Sequence, residues 1–341
     1  MLIAKIAQGG AQTVRLEAVA VSKVDRYLEA GTRENTRRSY RAAVEHFEVS
    51  WGGFLPATAD SIARYLADYA EQHSINTLKQ RLAALAQWHI SQGFPDPTKA
   101  PMVRQMLKGI RALHPAQEKQ AAPLLLQHLE KTIRNLDQQA RQAAAAQDLA
   151  SLMRARRDAA LLLIGFWRGF RGDELSRLQV EDIQAEPAVG MTLYLPHSKG
   201  DRQHIGTRYR TPALKLLCPV QAYLDWINVA GIARGAVFRK IDRWGHLADS
   251  GLNSNSMIAL LRRIFEGAGV PADLYTSHSL RRGFATWATA NGWDIKALMA
   301  YVGWKDVKSA MRYIDPSISF GGLAASAPTE VSLQPVSQRL E

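Results

Sequence analysis

Cysteine is nearly absent from the sequence, with Cys218 alone among 341 residues. One cysteine allows neither a disulfide within the chain nor a metal cluster held by several thiolates, and it is typical of proteins from a reducing compartment. Long apolar runs are missing too: the longest, Ala159–Trp167, is far shorter than the ~20 residues that cross a bilayer. Residues 1–10 lack the apolar stretch of a signal peptide. We therefore expect a cytoplasmic protein with no membrane partner.

Two common catalytic motifs are also absent. The chain contains no glycine-rich loop that ends in Gly-Lys-Ser/Thr, and no His-Glu-x-x-His pair. The first motif holds nucleotide phosphates and the second holds zinc. We therefore expect no cofactor and no metal.

The chain does contain an excess of positive charge, with a formal net charge of +12. Residues 1–120 hold 16 Lys/Arg against 11 Asp/Glu, and residues 121–341 hold 27 against 20. Both halves are basic, which favours a polyanionic partner such as duplex DNA. Charge alone is equally compatible with a solvated basic surface. Apolar residues make up 47% of the chain, so it can build packed cores.

Helical patterning fills the N-terminal half. Apolar residues recur at helical spacing in several segments, and Asn35 with Thr36 can cap the first of them. The pattern predicts a flexible arm over 1–18 and an all-helical domain of at least four helices over 19–112. Cations recur on the polar positions of these helices, which we interpret as a DNA-facing surface. The candidates are Arg37, Arg38, Arg41, Lys79, Arg81, Lys108 and Arg111.

The C-terminal half combines helices with one hairpin. A polar segment over 113–122 predicts a linker, and a second domain is expected over 123–315. Within it, apolar and polar residues alternate over 191–196, which predicts a strand, followed by a turn at 198–201 and a return strand near 204–210. The Ser/Ala/Pro-rich tail over 316–341 is expected to be flexible. The fold class is mainly α with a small β-hairpin in the second domain.

A spaced set of polar residues crosses this second domain. Arg-x-x-Glu-Leu begins at Arg171, Lys199 lies at the predicted turn, and His-x-x-Arg spans 278–281. Gly-Trp then ends at Trp304, and Tyr313 follows nine residues later. In this order and spacing the set resembles the tyrosine recombinase (phage integrase) family. Most members have His where this chain has Trp304, and Cre-like members have Trp.

The resemblance implies a site-specific recombinase that cuts and rejoins DNA through a 3′-phosphotyrosyl link, without metal or ATP. It further implies a two-domain clamp on duplex DNA and a tetramer that joins two sites. The site residues that it implies are Arg171, Glu174, Lys199, His278, Arg281, Trp304 and the nucleophile Tyr313. Elementary chemistry agrees with these roles, because guanidinium groups bind phosphate oxygens in pairs. Arg282 is expected to contact the DNA backbone.

Plainer interpretations remain open for several of these residues. Arg171 and Glu174 can be a surface ion pair, and Lys199 can be a solvated turn residue. Tyr301 and Tyr275 compete with Tyr313 as nucleophile, although they lack its spacing from the Gly-Trp pair. Two other functions also stay open: a type IB topoisomerase or telomere resolvase, and a non-catalytic DNA-binding protein of the same fold.

Overall fold

The computed structural model describes residues 31–115, 121–196 and 205–311, with the main chain alone at 308 and 309, and also residues 23, 26 and 27. The chain divides into two compact units, Met1–Lys119 and Gln120–Glu341. The point of division falls inside the segment 113–122. The predicted arm and tail lie outside the described residues.

The first unit is a bundle of α-helices. Its elements are α1 (Glu34–Glu45), a π-helical turn (His46–Ser50), α2 (Ala59–Asp68), α3 (Ile75–Ser91), a 3-10 turn (Pro97–Lys99) and α4 (Pro101–Leu113). Thr58 caps α2 by accepting from the Ser61 N–H at 3.1 Å. The prediction that Asn35 and Thr36 cap the first helix is wrong, because the helix begins earlier, at Glu34. Arg33 holds the N-cap position, and the Asn35 side chain accepts from Arg38 within the first turn of the helix.

The second unit adds two small sheets to a helical core. Its helices are α5 (Leu126–Ala145), α6 (Leu149–Arg168), α7 (Gly172–Ser176), α8 (Pro219–Ala230), α9 (Ser254–Gly267), α10 (Ser277–Ala290), α11 (Ile295–Val302) and α12 (Val307–Met311). Its strands are β1 (Ile183–Glu186), β2 (Gly190–Leu195), β3 (Thr207–Pro212), β4 (Arg239–Ile241) and β5 (Leu247–Gly251). No described helix is both long enough and apolar enough to cross a membrane.

The two paired strands of the predicted hairpin are confirmed, whereas its predicted turn at 198–201 lies outside the described residues. Strands β2 and β3 pair antiparallel in the register Leu195↔Thr207 and Leu193↔Tyr209, and β1 adds a third strand to the other side of β2. The return strand begins at Thr207 and runs to Pro212, somewhat later than the sequence predicts. Alternate residues of β2 are buried, which places one face of this sheet on the core.

The apolar helix α6 lies at the centre of the second unit. Residues 157–168 are all buried, and α6 packs against α5, α8 and α10. A main-chain hydrogen bond from Leu124 N to Ser279 O, 3.0 Å long, ties the chain just before α5 to α10. A Cβ at Gly283 would lie 2.2 Å from the Leu124 carbonyl oxygen, so only glycine permits this approach. The core therefore reaches α10, the helix that carries the His-x-x-Arg motif.

Candidate active site

Arg171 and Glu174 form both an ion pair and a helix cap. Gly169 ends α6 in the left-handed conformation (φ +58°), and the chain turns so that Arg171 becomes the N-cap of α7. Glu174 Oε1 accepts from Arg171 Nη1 at 2.7 Å, and Oε2 accepts from the Arg171 main-chain N–H at 2.8 Å. The Glu174 side chain is only 5% exposed, against 27% for Arg171. The interpretation as an ordinary surface pair does not fit this burial.

Arg281 approaches the same carboxylate from α10. Its side chain is 1% exposed, and its Nη1 lies 3.7 Å from Glu174 Oε2. The same nitrogen donates to the Gly169 carbonyl at 2.7 Å. Two guanidinium groups from segments far apart in the sequence therefore converge on one buried carboxylate. Their combined charge suits an anionic ligand better than a neutral one.

Trp304 covers one face of Arg281. The Arg281 guanidinium carbon lies 5.0 Å from the centroid of the Trp304 ring, within the range of a cation–π contact. Trp304 is buried and follows Gly303, which ends α11 at φ +76°. A Cβ at Gly303 would lie 2.9 Å from the Tyr209 hydroxyl, so glycine allows the turn to approach β3.

His278 occupies a different environment from Arg281, although both lie on α10. His278 is exposed, in the first turn of the helix, where its main-chain N–H donates to Thr276 Oγ1 at 3.2 Å. Arg281, one turn later, is buried. The spacing of three residues thus places them on one helix, with the imidazole accessible and the guanidinium enclosed.

Arg168 is a site neighbour that the sequence does not single out. Its side chain is buried; Nη1 donates to the Arg210 carbonyl on β3 at 3.0 Å, and Nη2 donates to the Tyr301 carbonyl on α11. Its guanidinium carbon lies 3.9 Å from the centroid of the Tyr301 ring and 4.9 Å from that of Tyr209. Burial lowers the pKa of Arg168, and the nearby phenols oppose that shift. Arg168 therefore links β3 to the end of α11, just before Gly303.

Tyr209 is a second neighbour that sequence patterns did not reveal. It is buried on β3, and its ring meets that of Phe170 edge to face with centroids 5.2 Å apart. Burial raises the pKa of Tyr209, and the charge of Glu174 raises it further, against smaller effects of Thr207, Arg168 and Arg281. Tyr209 therefore stays protonated beside the carboxylate.

Two predicted site residues, Lys199 and Tyr313, lie outside the described residues. The paired strands β2 and β3 flank the segment 197–204, and α12 ends at Met311. The two rival tyrosines are both engaged in packing. Tyr301 lies against Arg168, and the Tyr275 hydroxyl is 2.7 Å from His128 Nδ1. In the part of the chain that the structure describes, no group of three or more His, Cys, Asp or Glu side chains could hold a metal ion.

The predicted DNA-binding cations differ in exposure. Five of them are exposed on α1, α3 and α4, namely Arg38, Arg41, Lys79, Lys108 and Arg111. Arg37 is half-buried and pairs with Glu34, and Arg282 on α10 is also half-buried. Arg81 is half-buried as well, and its Nη1 donates to the buried Tyr65 hydroxyl at 2.6 Å. The exposed five form the accessible positive charge of this set.

The chain is similar to known proteins in both sequence and structure. Residues 136–319 match the sequence model of the phage integrase family. The integrase/recombinase xerD homologue of Selenomonas ruminantium is 31% identical over 303 residues, which cover 86% of this chain and 85% of that protein. The recombinase Cre of Escherichia phage P1 is 25% identical over 280 residues, 76% of this chain and 77% of Cre.

Among solved structures, the XerH site-specific recombinase in a post-cleavage complex with a palindromic difH substrate has a similar fold. The TM-score is 0.56 at 19% identity, over 81% of this chain and 75% of XerH.

Proposed function

Because the chain belongs to the phage integrase family of tyrosine recombinases and is a site-specific recombinase, we propose that Tyr313 is the nucleophile with which it cuts and rejoins duplex DNA. One observation carries the assignment of the site. Arg171 and Arg281 meet at the buried carboxylate of Glu174, at 2.7 and 3.7 Å. The other members of the spaced set, Lys199 and Tyr313 among them, are assigned from their order and spacing in the sequence.

Phosphate chemistry explains the need for two arginines. A phosphodiester carries one negative charge, and its pentacoordinate transition state concentrates more charge on the nonbridging oxygens. Preorganised guanidinium groups stabilise that charge with paired hydrogen bonds. In this proposal Arg171 and Arg281 bind the nonbridging oxygens, and Glu174 acts as a positioning residue that holds both. Arg171 is partly exposed to an incoming phosphate, whereas Arg281 is enclosed beside it.

Proton transfer involves the remaining members of the set. A phenol with an ordinary pKa of ~10 is a weak nucleophile until it loses its proton. We assign the exposed His278 as the base or hydrogen-bond partner of Tyr313. Lys199 would donate a proton to the departing 5′ oxygen. The Trp304 indole can donate a hydrogen bond to a phosphate oxygen but cannot carry a proton. The phosphotyrosyl link keeps the bond energy, so rejoining needs no ATP.

The partner in this proposal is duplex DNA, in keeping with the net charge of +12 and with the DNA complex of XerH. The exposed cations of the first unit would contact the DNA backbone, together with Arg282 of the second. We also propose that four copies assemble two DNA sites into one synapse.

Trapping of the covalent intermediate tests the proposal. On a nicked substrate that loses a short strand after cleavage, the wild-type chain should accumulate a protein–DNA adduct. Tyr313→Phe should form none while binding the same DNA, because only the nucleophilic oxygen is lost. Tyr301→Phe is the matched control and should still form the adduct, since Arg168 keeps both its ring contact with residue 301 and its hydrogen bonds to the Arg210 and Tyr301 carbonyls.

Two results would contradict the assignment. An adduct formed by the Tyr313→Phe variant would show that another tyrosine is the nucleophile. No adduct with the wild-type chain would favour a non-catalytic DNA-binding protein. Recovery of exchanged flanks from two DNA sites, instead of relaxed circles or hairpin ends, would separate recombination from topoisomerase or telomere-resolving activity.

A further inference from the structure

A cluster of polar aromatic side chains surrounds Arg81 in the first unit. Its members are His46, Tyr65, Tyr69, His73 and Arg81, which we call the His46 cluster. Tyr65 is fully buried, and the other four are half-buried. The members come from the π-helical turn, from α2 and the turn after it, and from α3. Three separate segments of the bundle therefore meet at this point.

Hydrogen bonding determines the protonation state of His46. Arg81 Nη1 donates to the Tyr65 hydroxyl at 2.6 Å and also contacts His46 Nδ1, which lies 3.0 Å from that hydroxyl. A guanidinium group has donors only. Nδ1 of His46 must therefore accept, so His46 is neutral with its proton on Nε2. A proton added at Nδ1 would break this contact and set a second positive charge against Arg81.

The cluster holds the positive charge of Arg81 without a balancing acid among the described residues. Among the described residues, no carboxylate makes a hydrogen bond or ion pair with any member of the His46 cluster. Asp68, on the same helix as Tyr65, accepts from Trp51 Nε1 at 2.7 Å instead. Glu45 and Glu48, the acids nearest His46 in the sequence, line a separate groove beside Trp88. A positive charge gained here therefore has no acidic partner within the part of the chain that the structure describes.

The electrostatic environment of His46 follows from these contacts. Burial lowers the pKa of His46, and the charge of Arg81 and the neighbouring His73 lower it further. The groups that face the imidazole are Arg81 from α3, His73 from the turn and the phenols of Tyr65 and Tyr69. His46 therefore stays neutral in the unliganded protein at neutral pH.

His73 and Arg81 have unused hydrogen-bonding capacity. His73 Nδ1 lies 3.1 Å from the Gln72 carbonyl, so this nitrogen carries the proton. His73 Nε2 is buried and has no hydrogen-bond partner among the described residues, while the ring stacks on Tyr69 with centroids 5.2 Å apart. Nη1 is the one nitrogen of Arg81 that bonds to a described residue. The remaining guanidinium N–H groups are therefore held in place with no acceptor from that part of the chain.

We propose that the His46 cluster is a proton-linked binding site for a phosphate group, supplied by the backbone of duplex DNA. The phosphate oxygens accept from the remaining N–H groups of Arg81 and from His46 in its protonated form. The DNA source of the phosphate rests on the proposed function, whereas the anion chemistry of the cluster does not.

The linkage has a definite sign. The free site disfavours the imidazolium of His46, and a bound anion favours it. Binding therefore takes up a proton from solvent, and affinity rises as pH falls through the pKa of His46 in the complex. Each unit by which DNA raises that pKa corresponds to about tenfold tighter DNA binding by the protonated form than by the neutral form.

Calorimetry of the full chain tests the linkage. A duplex oligonucleotide of arbitrary sequence is titrated near pH ~6.5, where an unperturbed histidine is half-protonated, in two buffers of different ionisation enthalpy. Phosphate contacts dominate such non-specific binding. The wild-type chain should take up protons on binding, and His46→Gln should lose most of that uptake. His114→Gln removes an exposed histidine of the same unit outside the cluster, and it should behave as wild type. Equal uptake by wild type and His46→Gln would overturn the proposal.

A second measurement needs no variant. The pKa of His46, followed by NMR of the imidazole, should lie below that of an exposed histidine in the free chain and rise by about one unit or more with DNA. A rise with inorganic phosphate but not with DNA would overturn the DNA source and indicate a site for free phosphate. No rise with either would overturn the site. Adduct formation through Tyr313 is a separate measurement. A missing pKa rise at His46 can therefore be distinguished from failure of the recombinase assignment.

Discussion

Glu174 accepts hydrogen bonds from Arg171 with both of its carboxylate oxygens, Oε1 from the guanidinium at 2.7 Å and Oε2 from the main-chain N–H at 2.8 Å. One side chain thus fixes the backbone and the charged end of Arg171 together. The same carboxylate faces Arg281, so its removal affects two guanidinium groups.

Glu174→Gln should weaken both the fold and the chemistry. The amide keeps one acceptor oxygen but loses the charge between the two arginines. Breaking a buried ion pair costs about 3 kcal/mol of unfolding free energy, which urea denaturation measures. Misplaced guanidinium groups should also slow adduct formation by roughly 10²-fold.

Asp173→Asn is the matched control for that variant. Asp173 is the preceding residue and pairs with Arg177 at 3.0 Å on the surface. An exposed pair contributes at most about 1 kcal/mol, so this variant should retain stability and cleavage. Equal losses in the two variants would contradict the special role of Glu174.

Arg168→Lys should reduce cleavage more than it reduces DNA binding. A lysine has one nitrogen and cannot donate to the Arg210 and Tyr301 carbonyls in the fork geometry of arginine. We expect a loss of about 2 kcal/mol in unfolding free energy and slower adduct formation, because β3 and the turn before Trp304 lose their link.

Arg154→Lys provides the comparison for Arg168. Arg154 is another arginine of α6, half-buried where Arg168 is buried, and it donates to the Asp242 carbonyl at 2.6 Å, away from the site. The Arg154→Lys variant should be less stable than the wild type, while its folded fraction cleaves DNA at the normal rate. If Arg168→Lys shows that same pattern, its role is structural only.

Lys199→Ala tests the assignment of the general acid. On an ordinary phosphodiester, cleavage should slow by roughly 10²–10⁴-fold. A substrate with sulfur at the bridging 5′ position has a leaving group that needs no proton, so the variant should regain most of its rate. Arg171→Ala should stay slow on both substrates, because it stabilises charge.

The outcomes for Lys199 separate three roles. Little loss on either substrate indicates a solvated turn lysine, and equal loss on both indicates a phosphate contact. Either result would reassign the role of proton donor to another residue of the predicted hairpin segment, with His204 as the first candidate.

Local patterns in the sequence predicted the helical bundle and the β2–β3 hairpin, because each has a clear period of apolar residues. Strands β1, β4 and β5 were not predicted. They are three to five residues long, and a segment that short shows too little alternation to stand out.

The site shows a similar division. The ordered spacing of the family motif led to Arg171, Glu174, Arg281 and Trp304, which the fold brings together. Arg168 and Tyr209 were missed because their roles depend on how β3 and α11 pack against the end of α6. No local pattern distinguishes a buried arginine at a helix end from a solvated one.

The hydrogen bond from Leu124 to Ser279 has a mechanical consequence. Leu124 follows closely on the segment that joins the two compact units, and Ser279 lies two residues before Arg281 in the same helix. Tension along the joining segment is therefore borne by the backbone of α10 before it reaches α5. A pull exerted through the tether acts at the first turn of the helix that carries His278 and Arg281.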